Sequence, residues 1–222
     1  MKNIQLNKYS MLMCIAVLFL AACNKESIRG EGAVSTENRN VPSFTQVQLD
    51  GDAEATISYG PTQKVSVTAY QNLLTVYETK IVGGVLHLGF KSGHRIRNSN
   101  VRVAIEIPVL SFMRIDGSGK MTGTNFQQGE MLENYVNGSG SIIVQQCAFD
   151  KAVYDVNGSG SITATTSDAT VANAEIHGSG QIRLRVSNEL DASIHGSGVI
   201  EYWGNPATVN SHVSGSGQIN KK

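Results

Sequence analysis

The side chains of this 222-residue chain that could do more than pack are few, and they sit at nearly constant spacing. Asp155 and Glu175 stand 20 residues apart, His177 and His195 stand 18 apart, and His212 follows 17 later. Paired carboxylates are the equipment of glycoside cleavage, and polysaccharide chemistry of this kind often adds a basic residue or calcium. Two imidazoles with a carboxylate suit a zinc or copper ion. Tyr135 and Trp203 offer ring faces on which a sugar can stack. Each also has a plainer reading. One acidic pair is what a polar face carries by chance. His177 and His195 fall at one phase with Asn137, Asn157 and Ser214, an exposed ladder of neighbours that hydrogen-bond to one another. Trp203, in the turn Trp203-Gly204-Asn205-Pro206, can serve as a packing lid.

Whether these groups meet depends on what carries them. Gly-Ser-Gly begins at Gly117, Gly138, Gly158, Gly178, Gly196 and Gly215, so one unit recurs every 18 to 21 residues. That is the signature of a solenoid. Two residues before each triplet stand Ile115, Val136, Val156, Ile176, Ile194 and Val213; four after its first glycine stand Met121, Ile142, Ile162, Ile182, Ile200 and Ile219. Polar residues alternate between them, the pattern of a strand with one face buried. Two architectures bury that face, an antiparallel sandwich or a β-helix with one unit per turn. The β-helix is preferred, because stacking turns about 4.8 Å apart explains why one residue class recurs at each phase. If the alternation runs through the triplet, both glycines point inward and the serine outward.

In such a stack Asp155 and Glu175 are neighbours on adjacent turns, and His177 and His195 stand about 5 Å apart. No third ligand is clearly placed beside the histidines, so the polar ladder is the preferred reading there and His177 and His195 remain candidates only. No convincing catalytic constellation is assembled, which points away from an enzyme, and no cofactor is called for. The RTX type of calcium helix carries Asp in its glycine turns; these turns carry Ser.

Residues 1–22 have a basic start, Lys2 and Lys8, and an apolar run from Met11 to Leu20, and read as a secretory signal. Leu20-Ala21-Ala22-Cys23 resembles a bacterial lipobox, which implies cleavage before Cys23 and acylation of that cysteine. Residues 23–40 are polar and read as a flexible tether. The β-helix domain spans 41–222, with 41–110 as an irregular, capping part and 111–222 as the triplet repeats. Gly51, preceded by Val47 and Leu49, marks a degenerate first turn. The runs Lys64–Ala69, Leu73–Lys80, Val85–Phe90 and Val101–Ile107 read as strands, the middle pair joined by a hairpin across Gly83-Gly84. Lys221, at an inward phase, ends the core and blunts the last edge. Once the signal is removed only Cys147 remains beside the acylated Cys23, and it is expected to fill a turn rather than react. The 18 basic and 18 acidic residues balance, so no basic excess points to nucleic acid.

Phe44-Thr45-Gln46-Val47 with Leu49-Asp50-Gly51, Val65-Ser66-Val67 followed by Leu73-Leu74, the Gly83-Gly84-Val85-Leu86-His87-Leu88 hairpin and the string of triplets occur here in that order. In this the chain resembles the head GIN domain of auto-transporter adhesins, over about Phe44 to Gln218. The resemblance implies a right-handed single-stranded β-helix and an adhesive role, and carries no binding residues with it. The expectation is a lipid-anchored cell-envelope module, in the outer membrane and facing the periplasm or the cell surface, that binds a glycan or a surface protein. Tyr135, Asp155, Glu175 and Trp203 are its candidate ligand-binding residues. Such a binding module predicts a side wall with contiguous exposed aromatics and no deep pocket. A β-helical polysaccharide-active enzyme would instead show a groove holding close carboxylates around Asp155 and Glu175, and a purely structural lipoprotein would show neither feature.

Overall fold

Alternation of apolar and polar residues gives strands throughout, and glycines set where they turn. A computed structural model describes residues 26–222; the signal segment and Cys23 lie outside the described residues. The N-terminal part carries β1 (Glu26–Arg29), β2 (Val34–Asn38), β3 (Gln46–Gly51), β4 (Glu54–Tyr59), β5 (Lys64–Tyr70), the short helix α1 (Gln71–Leu74), β6 (Tyr77–Val82), β7 (Val85–Phe90), β8 (His94–Arg97) and β9 (Arg102–Ile107). The repeats supply β10 (Phe112–Gly117), β11 (Lys120–Thr124), β12 (Gly129–Gly138), β13 (Ser141–Gly158), β14 (Ser161–Gly178), β15 (Gln181–Gly196), β16 (Val199–Trp203), β17 (Thr208–Gly215) and β18 (Gln218–Lys221).

These strands build a β-solenoid of about six turns, roughly 20 residues apart. On the arm before the triplets, β3, β10, β12, β13, β14, β15 and β17 pair in parallel, and Gly51, Gly117, Gly138, Gly158, Gly178, Gly196 and Gly215 are partners in register. On the arm after them β4, β11, β13, β14, β15, β16 and β18 stack likewise. The two apolar columns form the core. Leu49, Ile115, Val136, Val156, Ile176 and Ile194 line one wall of it, and Ala55, Met121, Ile142, Ile162, Ile182 and Ile200 the other, all fully buried. Burying one such aliphatic side chain contributes about 1.5–3 kcal/mol, so each added turn extends the core by the same increment.

The glycines of a triplet act differently from one another. The third points inward and is buried: a Cβ on Gly160 would lie 2.5 Å from Cγ1 of Val136. The first does not. Gly158 has φ +121°, and a Cβ there would lie 2.5 Å from the carbonyl oxygen of Gly138 one turn back. It is kept bare by the backbone of its neighbour, which corrects the expectation that both glycines point inward.

The chain leaves the coil after Tyr59 and returns at β10, which stacks directly on β3. The excursion closes the open end. β7 and β9 add a parallel layer to β3 and β4, and then β6 lies antiparallel on β7 and β5 antiparallel on β9. Gly83 and Gly84, at φ +59° and +85°, make the hairpin turn between β6 and β7. Leu73 and Leu74, expected in a strand, lie in α1 and are buried there; the strand begins at Tyr77. The tether reading of residues 23–40 fails over 26–38. β1 pairs with β8, and β2 pairs antiparallel with β5. Hydrogen bonds to a waiting edge make strands of segments too polar to show a buried face, as the exposed pattern of β2 records.

The far end is open. β17 is exposed along its length, and Val209 and Val213 are each 40% exposed. Val213 keeps the inward phase, but no further turn among the described residues covers it. Lys221 is exposed beside Tyr202 and holds Asn205 Oδ1 at 2.8 Å.

Candidate functional site

Two outward columns beside the triplet corner carry most of the residues singled out by sequence. Arg114, Tyr135, Asp155, Glu175, Ser193 and His212 are successive partners in one; Asp116, Asn137, Asn157, His177, His195 and Ser214 are partners in the other. Lower on this wall the expected polar ladder is present. Arg114 Nε donates to both oxygens of Asp116 at 3.1 and 3.0 Å. Asn137 donates to Asp116 at 2.6 Å, and Asn157 donates to Asn137 at 3.3 Å and to Asp155 at 3.0 Å.

Tyr135 donates its hydroxyl to Glu133 at 2.7 Å and sets its ring 5.5 Å from that of Phe112. Burial first, and that hydrogen bond second, push its hydroxyl up to about 12. The Asp155 carboxyl is held above its ordinary range, first by burial and then by the negative charge of Glu175 one turn away. Glu175 itself turns towards the imidazoles: its Oε1 lies 2.8 Å from His177 Nε2 and 3.9 Å from His195 Nε2. The two histidine rings stack 4.8 Å apart at an interplanar angle of 9°, as one-turn spacing requires. Trp203 is elsewhere. It closes β16 opposite Arg185, on the arm after the triplets, and is partly buried. Tyr135 and Trp203 therefore do not share a surface.

A second feature, absent from the sequence reading, lies at the other corner of the coil. Tyr59, Val109, Phe126, Met131 and Phe149 line a groove of about 380 Å³, with Ser111, Gln127, Gln128 and Glu130 also on its wall. The segments that build it are the end of β4, the β9–β10 and β11–β12 connections, the start of β12 and the middle of β13. Tyr59 and Val109 are 54% and 53% exposed at its mouth, whereas Phe126 and Phe149 are buried beneath. Tyr59 meets Phe126 edge to face at 6.3 Å. Phe149 reaches its place because residue 129 is Gly: a Cβ there would fall 2.3 Å from the ring. Three non-glycine residues with positive φ bracket this corner, Asn125 at 65°, Gln128 at 62° and Gln146 at 53°. Strained backbone of this kind costs about 1–3 kcal/mol per residue and gathers where a surface is shaped for use. Cys147 sits behind the corner, buried, its Sγ accepting from the Phe126 backbone N–H at 3.4 Å, and burial pushes its thiol up. It packs, as expected. The signal that could have found the groove is one aromatic per turn, Tyr59, Phe126 and Phe149, falling 8, 9 and 11 residues after Gly51, Gly117 and Gly138.

Comparison with known proteins gives the family and the fold. The family described as "Putative auto-transporter adhesin, head GIN domain" matches residues 43–165 and 134–206, well over half of the chain. No curated protein matches. A putative adhesin from Bacteroides fragilis has a solved structure similar to this one, with a TM-score of 0.69 and 18% identity over 88% of this chain and 100% of that one. A putative lipid binding protein from Parabacteroides distasonis gives 0.60 and 24% over 89% and 100%, and a putative adhesin from Parabacteroides merdae 0.60 and 22% over 89% and 99%. At these identities the likeness is one of fold.

Proposed function

The chain belongs to the head GIN domain family of auto-transporter adhesins, and from that premise we propose that it is a binding module of the cell envelope, anchored by lipid on Cys23, which grips a surface protein at the Tyr59–Phe126–Phe149 groove. The observation that carries this reading is the groove itself. An exposed aromatic and an exposed valine flank a floor of buried rings, and amide and hydroxyl groups lie beside them. A pocket of that composition suits an apolar anchor side chain from a partner, ringed by hydrogen bonds. A glycan is the second reading, favoured by the Phe112–Tyr135 ring pair beside the Arg114–Asp116 ion pair and the Asn ladder. We read the chain as a binder rather than an enzyme. The groove holds one carboxylate, Glu130, where glycoside cleavage places two across the bond, and Asp155 and Glu175 belong to the wall at the other corner. No helix among the described residues is long and apolar enough to cross a membrane, in keeping with attachment through the N-terminal lipid.

The test is binding of the labelled full chain to intact bacterial envelopes and to a glycan array, repeated with Tyr59→Ala, Val109→Asp and Tyr135→Ala. Loss of envelope binding in the first two with retention in Tyr135→Ala is the expected result. Binding unchanged by Tyr59→Ala and Val109→Asp, or no binding by the parent chain, overturns the assignment to the groove; glycan binding lost only in Tyr135→Ala moves it to the wall.

A further inference from the structure

From the arrangement at the top of the polar wall we infer that Glu175, His177 and His195 form a site for one divalent first-row transition-metal ion of the Zn²⁺ or Cu²⁺ kind, with His212 as a fourth donor. The sequence put the two histidines on adjacent turns and Glu175 on the strand of His177, with no third ligand clearly placed. The structure supplies it. Glu175 is two residues before His177 on the same strand, so both side chains leave one face of β14, and the carboxylate folds back over the imidazole. One donor atom from each of Glu175, His177 and His195 lies within 4.8 Å of the other two. Around a tetrahedral ion with bonds of about 2.0–2.1 Å, donor atoms stand about 3.3 Å apart. The Oε1 to His177 distance of 2.8 Å and the Oε1 to His195 distance of 3.9 Å straddle that value.

The three side chains are each close to half exposed, at 46%, 46% and 43%, so small χ rotations of solvated groups close the remaining gap without repacking. His212 is the partner of Ser193, which is itself the partner of Glu175, and its ring lies 6.0 Å from that of His195, inclined at 55°. It belongs to β17, the outermost strand on this arm among the described residues, which pairs with β15 and is exposed along its length, so its side chain is free to turn towards the ion. Two or three imidazoles and one carboxylate select borderline ions over calcium or magnesium, which take oxygen. Asp155, one turn below Glu175, adds negative charge next to the site. This surface is separate from the groove at the other corner, so the inference does not depend on what the groove binds.

The experiment is titration of the untagged full chain with Zn²⁺ against a chromophoric chelator, with Cu²⁺ electron paramagnetic resonance as the second readout. One ion per chain is expected, with nitrogen couplings in the Cu²⁺ spectrum. His195→Ala and Glu175→Gln are each expected to weaken binding roughly tenfold or more, since even outer partners of metal ligands alter affinity by that factor. His87→Ala, remote from the cluster, is expected to bind as the parent does. His177 and His195 are exposed and Glu175 and His87 partly buried, and circular dichroism checks that the solenoid is retained. No saturable uptake, or uptake and couplings unchanged when His177 and His195 are both Ala, overturns the inference.

Discussion

Gly158→Ala tests the seam on which every column depends. Two terms set its size. At φ +121° the backbone is in a region that side chains avoid, a cost of about 1–3 kcal/mol. The new Cβ would also sit 2.5 Å from the Gly138 carbonyl oxygen and 3.3 Å from its carbonyl carbon and Cα. Those atoms belong to β12, which is backed by β10 and cannot retreat. The turns must part, which weakens the 2.9 Å bond from the Ser159 N–H to Gly138 O, about 0.5–1.5 kcal/mol. Together the terms predict about 2–4 kcal/mol, and at about 2–4 °C per kcal/mol for a chain of this size the melting temperature falls by about 5–15 °C. Thermal and urea unfolding followed by circular dichroism measure it. Ser159→Ala, at an exposed position in the same triplet, is the control and is expected within about 0.5 kcal/mol of the parent. A Gly158→Ala protein as stable as that control would show that the turns are not in backbone contact at this corner, and the stacking argument would fall with it.

Two further outcomes follow from single residues. The folded state disfavours ionised Asp155, so it binds that proton more tightly than the unfolded chain and loses stability as pH rises from the ordinary carboxylate value through the raised one. Asp155→Asn keeps an acceptor for Asn157 and removes the charge. It is expected to be more stable than the parent at neutral pH, with the gain shrinking towards about pH 4; urea midpoints at both pH values check this, and a constant or reversed difference refutes it. Cys23→Ser is expected to move the protein from the membrane fraction to the soluble fraction and to abolish the mass added by acyl chains. A Ser variant that stays with membranes would remove lipid attachment from the proposal.

The coil and its columns were legible because period two and period twenty coincide. Val156 and Ile176 could be assigned inward, and Asp155 beside Glu175, from counting alone, and the pairing agrees. Distances between columns were not legible. That Glu175 folds onto His177 rather than towards Asp155 is decided by side-chain torsions and charge, which no repeat encodes. Residues 26–38 were misread because β2 forms by docking on the free edge of β5, a long-range event that leaves no alternation of its own. The groove was missed for a related reason. Its rings come from the end of β4, the β11–β12 connection and the middle of β13, whose offsets from the glycines differ, so they never align when triplets are superposed.

The glycine spine also acts as a clock that is reset once per lap. Laps differ in length by up to three residues, yet each begins again from the same point, and the discrepancies are discharged at the opposite corner as slips between Ile143 and Ala148 and between Ala164 and Val171. Insertions and deletions are thereby confined to a single lap. A protein built this way can lengthen or reshape the loops at that opposite corner while the ranks of side chains beside the spine keep their alignment, so its two faces are free to vary independently.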